Sequence, residues 1–108
     1  MYKYFKEKEI VGLNTGLVEM LDKAREIAGI PFIITSGVRT PKQNEDAGGV
    51  TDSSHRKGLA VDLRCRDSRS RFLIIKGLIS VGFSRIGAEV DHIHVDIDPN
   101  KDVNVIWR

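Results

Sequence analysis

The segment DHIHVDID, residues 91–98, decides how the rest of the chain is interpreted. It places three carboxylates and two of the chain's three histidines within eight residues. Successive side chains of a β-strand point to opposite faces. A strand here has an apolar face and a polar face: Ile93, Val95 and Ile97 form the first, and His92, His94 and Asp96 form the second. The pattern predicts a strand that packs its apolar face on a core and turns both histidines away from it.

A second segment, GLAVDLRC at residues 58–65, alternates in the same way. Its two faces are Leu59, Val61, Leu63 and Cys65 on one side, and Ala60, Asp62 and Arg64 on the other. If the two strands are neighbours, Asp62 and His94 lie side by side on the open face. His55 comes just before, at the end of a polar segment, residues 37–57, which is long for a loop in so small a chain. That segment is close enough to fold His55 over the same face.

The remaining pattern predicts two helices and further strands. Residues 14–31, NTGLVEMLDKAREIAGIP, have Asn14 as N-cap and Gly29 as the stop. The apolar stripe of this helix is Leu17, Met20, Leu21, Ala24, Ile27 and Ala28. The second helix, residues 68–82, is expected to turn Phe72, Ile75, Leu78 and Ile79 inward. Strands are predicted at residues 32–36, 83–87 and 103–107, and a short helix after Pro41. The pattern predicts an α+β fold, a mainly antiparallel sheet with helices on one face.

Length and composition narrow the possible functions. The 108 residues are expected to form one domain, 1–108. A formal charge of +2 and 6% aromatic residues, without interleaved basic and aromatic side chains, argue against nucleic-acid binding. The single cysteine, Cys65, excludes an intramolecular disulfide and a Cys-rich zinc site, and we expect it to be a buried thiol. The segment MYKYFKEKEI has no apolar core, so we expect synthesis in the cytoplasm without a signal peptide, and no membrane association.

His55, Asp62 and His94 together supply two imidazoles and one carboxylate. This is a usual protein ligand set for a catalytic zinc, with a fourth position for water. Asp91, three residues before His94, is placed to accept a proton from that water, and Glu89 is the alternative base. The simpler interpretation of an isolated His-x-His is a hydrated strand face. The conjunction with His55 and Asp62 favours a metal site.

Three segments together resemble a known family. They are SGVRTPKQN (36–44), GGVTDSSHRKGLAVDL (48–63) and DHIHVDI (91–97). They resemble the zinc peptidases that cut peptidoglycan stem peptides, the D-Ala-D-Ala carboxypeptidases and phage L-Ala-D-Glu endopeptidases, whose fold is shared with the hedgehog signalling domain. All five fixed positions of the motif S-x-H-x-x-G-x-A-x-D are present: Ser53, His55, Gly58, Ala60 and Asp62. Val38 departs from the family's aromatic residue before Arg39, which could alter the shape of the pocket.

The resemblance implies a hedgehog/DD-peptidase-like fold and a role for each matching residue. One Zn²⁺ ion would be held by His55, Asp62 and His94. Asp91 would be the general base, and His92 and Arg39 would stabilise the oxyanion. Arg39 and Ser53 would also contact the substrate.

The function that the resemblance implies is a zinc metallopeptidase acting on peptidoglycan stem peptides, either as a carboxypeptidase or as an endopeptidase. A compact chain without a signal peptide suits a phage or prophage lytic enzyme, an endolysin, which acts at the cell wall or in the periplasm after release. We expect a monomer. The alternative is a non-catalytic zinc domain that binds wall peptides or a protein partner.

Several other residues allow two interpretations. Asp96 could orient a metal ligand or be a hydrated carboxylate. Trp107 is expected to pack on an edge strand rather than to bind substrate. Gly48 and Gly49 indicate a tight loop. The arginine run, Arg64, Arg66, Arg69 and Arg71, is expected to be a solvated face, with attraction to an anionic cell wall as the alternative.

Overall fold

The computed structural model describes residues 2–46, 48 and 53–108. A short 3-10 turn at Glu7–Glu9 precedes three helices and five strands, which we number in chain order. They are α1 (Thr15–Ala28), β1 (Ile34–Ser36), α2 (Pro41–Asp46), β2 (Ala60–Arg64), α3 (Ser68–Ser80), β3 (Arg85–Ala88), β4 (His92–Asp96) and β5 (Val105–Trp107). The predicted α+β class is confirmed.

The five strands form one sheet in the order β1-β2-β4-β3-β5. The first four are joined by antiparallel pairings, and β5 pairs in parallel with β3 at the edge. The sheet is therefore mixed but mainly antiparallel, with the expected last strand at one edge. β1 begins at Ile34, two residues later than predicted, and Phe32, which precedes the strand, is buried in the core.

The β2–β4 register positions the polar residues of both strands. Asp62 lies opposite His94, and Arg64 lies opposite His92. The two strands are thus direct neighbours, as the side-by-side placement of Asp62 and His94 requires.

Helix α1 has the predicted ends. The Asn14 side chain accepts a hydrogen bond from the Leu17 N–H at 3.1 Å. Gly29 ends the helix in the left-handed conformation, φ 73°. The predicted stripe is wrong at Ile27, which is 46% exposed, whereas Val18 is buried. The buried face follows the line Leu17, Leu21, Ala24 and Ala28 and extends toward Val18.

The inward face of α3 differs from the prediction. Leu78 is buried as predicted, but Phe72 is 66% exposed and Ile79 is 52% exposed, and Ile74 is buried instead. The reason is the close approach of α1, because a Cβ atom at Gly77 would lie 2.5 Å from the Ala24 carbonyl oxygen. The helices meet at this glycine, and the contact rotates Phe72 and Ile79 outward. The pattern of large apolar side chains could not reveal this contact, because it is made by a glycine, which has no side chain.

The core lies between the two long helices and one face of the sheet. Leu17, Leu21, Ile74 and Leu78 of the helices are fully buried against strand residues such as Ile93. Cys65 belongs to this cluster and is 2% exposed, as predicted. The opposite face of the sheet carries the polar residues of β2 and β4. Among the described helices, none has the length and apolar character needed to cross a bilayer.

Candidate metal centre

His55, Asp62 and His94 converge on one point of the open face. Their candidate ligand atoms all lie within 4.8 Å of one another. The Asp62 Oδ1 atom is 3.2 Å from His55 Nε2 and 3.2 Å from His94 Nδ1. Strands β2 and β4 position the aspartate and the second histidine, and the loop before β2 brings the first histidine over them. The structure therefore brings together the three residues that the strand alternation had grouped.

The loop that carries His55 is held by a close backbone contact. Gly58 has φ +74°, and a Cβ atom there would lie 2.6 Å from the Gly12 carbonyl oxygen. The Gly58 carbonyl in turn accepts a hydrogen bond from the Asn14 N–H at 2.9 Å. Only glycine fits this position. The loop is thereby fixed to the start of α1, and His55 is 3% exposed.

In both His55 and His94, the ring nitrogen that faces away from Asp62, here called the outer nitrogen, already has a hydrogen-bond acceptor. His55 Nδ1 donates to the Gly37 carbonyl oxygen at 2.9 Å, and His94 Nε2 lies 2.7 Å from Asp96 Oδ2. These partners leave His55 Nε2 and His94 Nδ1 directed at Asp62. Carbonyl and carboxylate partners of this kind orient histidine ligands in metal sites. Asp96 is 2% exposed, so it is not a hydrated carboxylate.

The donor set fits a divalent cation. With both outer nitrogens protonated, neutral imidazoles turn two lone pairs toward a carboxylate that carries only lone pairs. This arrangement needs a positive charge at its centre, either a proton or a metal ion. Two imidazoles and one carboxylate are the ligands that zinc accepts.

The buried groups shift the pKa values of Asp62 and His94 in opposite directions. Burial alone would raise the pKa of Asp62, but hydrogen bonds and charge from His55 and His94 hold it well below its usual range. Burial works against a charged His94, yet Asp62 and Asp96 raise its pKa. Arg39 Nη2 adds a contact to Asp62 Oδ2 at 3.2 Å. The aspartate is therefore ionised at neutral pH and available as a ligand.

Arg39 and Ser53 lie beside the three candidate ligands. The Arg39 side chain is 17% exposed, and its Nε donates to Ser36 Oγ at 3.0 Å. Ser53 is buried and its Oγ accepts a hydrogen bond from the His55 N–H at 3.3 Å. Both line a cavity of about 410 Å³ over the candidate centre, which also contacts Gly48, Ser54, Arg85, Glu89, His92, Asp96, Lys101 and Trp107. The predicted Gly49 lies outside the described residues.

The two candidate bases occupy different positions. The Asp91 side chain is 73% exposed, and its Oδ1 is 2.8 Å from His92 Nδ1. That hydrogen bond is the main cause of the lowered pKa of Asp91. His92 Nε2 points inward, 4.0 Å from Asp62 Oδ1. Glu89, not Asp91, lines the cavity itself. Asp91 therefore reaches the centre through the His92 ring.

The family relationship follows from a comparison with known protein families. A family model described as Peptidase M15 matches residues 5–97. The chain belongs to the peptidase M15 family. The resemblance seen in the three sequence segments is thus confirmed, and the M15 family relationship supports a peptidase activity. A comparison with curated proteins finds no match. In this M15 chain the group His55, Asp62 and His94 is the candidate metal site.

One buried residue of this M15 chain was missed in the sequence. Asp98 is 1% exposed and accepts hydrogen bonds from Ser54 Oγ at 2.8 Å and Lys57 Nζ at 3.0 Å. It thereby ties the loop that carries His55 to the end of β4. The signal was present, since Asp98 continues the alternation of His94 and Asp96.

Asp98→Asn is expected to destabilise the protein at neutral pH by about 1–3 kcal/mol, because the charge-assisted bond to Lys57 is lost. Burial would raise the pKa of Asp98, but the bonds from Lys57 and Ser54 lower it to about 2. A lowered pKa stabilises the fold above the unfolded value of ~3.9 and ceases to do so as pH falls toward about 2. Urea unfolding followed by circular dichroism should show a difference in the free energy of unfolding between wild type and variant, and this difference should shrink from about pH 7 to about pH 3. A difference that stays constant would contradict this account.

Proposed function

We propose that this protein is a zinc-dependent peptidase that cleaves a peptide bond in bacterial peptidoglycan stem peptides. The observation that carries the proposal is the convergence of His55 Nε2, Asp62 Oδ1 and His94 Nδ1, with the outer nitrogen of each ring already satisfied. Membership of the M15 family supports the reaction class. The stem-peptide substrate rests on the resemblance of the three sequence segments.

His55, Asp62 and His94 would hold the metal ion. A bound Zn²⁺ supplies a water of lowered pKa, about 7, and polarises the carbonyl of the bond to be cut. The residues around the centre do the remaining work. Asp62 is kept ionised by its neighbours, so it does not need to lose a proton before it binds a cation.

His92 is placed to move the proton. Its Nε2 is directed at the centre, and Asp91 accepts the hydrogen bond of Nδ1–H at 2.8 Å. This fixes the ring with Nε2 as the free base, and the carboxylate stabilises the imidazolium that forms. His92 would accept a proton from the attacking water and deliver it to the leaving amine. In this arrangement Asp91 is a positioning residue that acts through His92.

Arg39 and Ser53 would bind the substrate. The planar guanidinium of Arg39 suits an oxyanion or a carboxylate, and Ser53 lines the same cavity. Lys101 lines the cavity as well. Cationic side chains therefore surround the space in which a carboxylate of the peptide would bind. Both a terminal D-Ala and the D-Glu beside an L-Ala bond present such a carboxylate. We further propose that the enzyme acts as a monomer at the cell wall or in the periplasm, as an endolysin does.

The test is digestion of purified peptidoglycan, analysed by mass spectrometry, with and without a chelator and with Zn²⁺ restored. We expect chelator-sensitive release of fragments. Loss of a terminal D-Ala alone identifies a carboxypeptidase, and release of stem peptides from L-Ala identifies an endopeptidase. A protein that binds Zn²⁺ but yields no product would refute the enzyme and favour a non-catalytic zinc domain.

A further inference from the structure

The edge strand β5 places Trp107 against the candidate metal centre. Gly87 of β3 lies opposite His94 of β4 on one side and opposite Trp107 of β5 on the other. The three residues thus form a row across three strands. The indole ring reaches His94 with a centroid distance of 5.4 Å and a tilt of 49°. The M15 match ends at residue 97, ten residues before this tryptophan.

The glycine in the middle of the row makes this contact possible. A Cβ atom at Gly87 would lie 2.8 Å from the Nε1 and Cε2 atoms of Trp107. The indole therefore lies directly over the Gly87 backbone, in the space that any other side chain would fill. Real side-chain contacts do not come so close, so an alanine at Gly87 would displace the indole from His94.

A second connection between Trp107 and His94 runs through Arg85. The Arg85 guanidinium lies over the indole, with its Cζ 5.1 Å from the ring centroid. Its Nε donates to Asp96 Oδ1 at 2.7 Å, and Asp96 Oδ2 in turn holds His94 Nε2 at 2.7 Å. The Arg85 side chain is 11% exposed. An arginine between an aromatic face and a buried carboxylate is fixed on both sides.

We propose that Trp107 is a positioning residue of the metal centre, which fixes the ring of His94 directly and through Arg85 and Asp96. This inference rests on the proposed function, because it takes His94 as a metal ligand. It differs from the interpretation of Trp107 as a packing residue of an edge strand. A packing residue would affect stability, whereas a positioning residue changes the affinity for the metal.

Residue Ile106 provides the matched control. It precedes Trp107 on β5, pairs with Ile86, and is 57% exposed on the other side of the strand. A substitution there shortens an apolar side chain of the same strand without touching the row of Gly87, His94 and Trp107. Ile106→Ala therefore shows how a general disturbance of β5 affects the Zn²⁺ affinity of the centre.

The experiment measures Zn²⁺ affinity, by competition with a chromophoric chelator, for wild type, Trp107→Leu, Trp107→Phe, Gly87→Ala and Ile106→Ala. Circular dichroism and thermal unfolding of the metal-free proteins establish that each is folded. Loss of a partner that orients a ligand weakens metal binding roughly 10- to 100-fold, and we expect this for Trp107→Leu and Gly87→Ala. Trp107→Phe retains a ring and should bind Zn²⁺ more tightly than Trp107→Leu. Ile106→Ala should bind as wild type does.

A second readout is independent of metal and of activity. In the metal-free protein, a slowly exchanging, downfield Nε2–H proton of His94 reports its hydrogen bond to Asp96. We expect this signal in wild type and its loss or broadening in Gly87→Ala, since the displaced indole no longer holds the ring against Asp96.

Each outcome separates the inference from the proposed function. Folded Trp107→Leu and Gly87→Ala proteins that bind Zn²⁺ like wild type would overturn the role of Trp107 and leave the peptidase proposal intact. An equal loss in Ile106→Ala would also overturn it, because the effect would then be a general one of β5. A wild-type protein that binds no Zn²⁺ would overturn both.

Discussion

Asp62→Asn is expected to abolish both Zn²⁺ binding and peptidase activity. Asp62 is the only anionic member of the candidate ligand set, and His55, His94 and Arg39 all direct positive or polarised groups at it. Asparagine would keep the shape but remove the charge that balances a dication. Loss of a residue that only orients a ligand weakens metal binding roughly 10- to 100-fold. The loss of Zn²⁺ affinity in Asp62→Asn should be larger, because a ligand itself is lost.

The single tryptophan makes this loss measurable. Trp107 is the chain's one tryptophan, and its ring lies 5.4 Å from that of His94. Co²⁺ at the centre should therefore quench the fluorescence of wild type and leave that of Asp62→Asn unchanged. Asp102→Asn removes one exposed carboxylate outside the ligand group and should be quenched as wild type is. Quenching of Asp62→Asn at the same Co²⁺ concentration as wild type would mean that the metal binds elsewhere.

The candidate centre was largely predictable because β-strand geometry is simple. A period of two in each strand put His94 and Asp62 on polar faces, and one assumption, that β2 and β4 are neighbours, brought them together. His55 follows from its place just before β2. The inner face of the sheet was predictable for the same reason, since Leu63 and Ile93 share the apolar side.

What the sequence did not reveal depends on contacts between elements. Phe72 faces outward because α1 approaches α3 at Gly77, and a glycine adds no apolar side chain to the sequence pattern. The role of Trp107 depends on β5 pairing in parallel with β3, opposite Gly87. Neither the partner of an edge strand nor its direction is set by its own residues. The Arg85–Asp96 pair likewise required the β3–β4 register.

Asp91→Asn is expected to lower kcat by roughly 10²- to 10⁴-fold, the usual contribution of the general base that Asp91 positions, with little change in Zn²⁺ affinity. Asp91 does not line the cavity, and its carboxylate contacts His92 Nδ1. An amide there can turn its NH₂ group toward the ring and favour the wrong tautomer of His92. His92→Gln should lose a similar factor, and the double variant no more than either single one, because the two residues act as a unit.

Glu89→Gln decides between the two candidate bases. Glu89 lines the same cavity as His55, Asp62 and His94 and, unlike Asp91, could reach the attacking water without an intermediary. If His92 and Asp91 form the working pair, Glu89→Gln keeps most of the wild-type kcat. If Glu89→Gln loses more activity than Asp91→Asn at full Zn²⁺ occupancy, Glu89 accepts the proton and His92 only stabilises the oxyanion. Saturation kinetics on a purified stem peptide, with Zn²⁺ content measured for each variant, separate these results from loss of the metal.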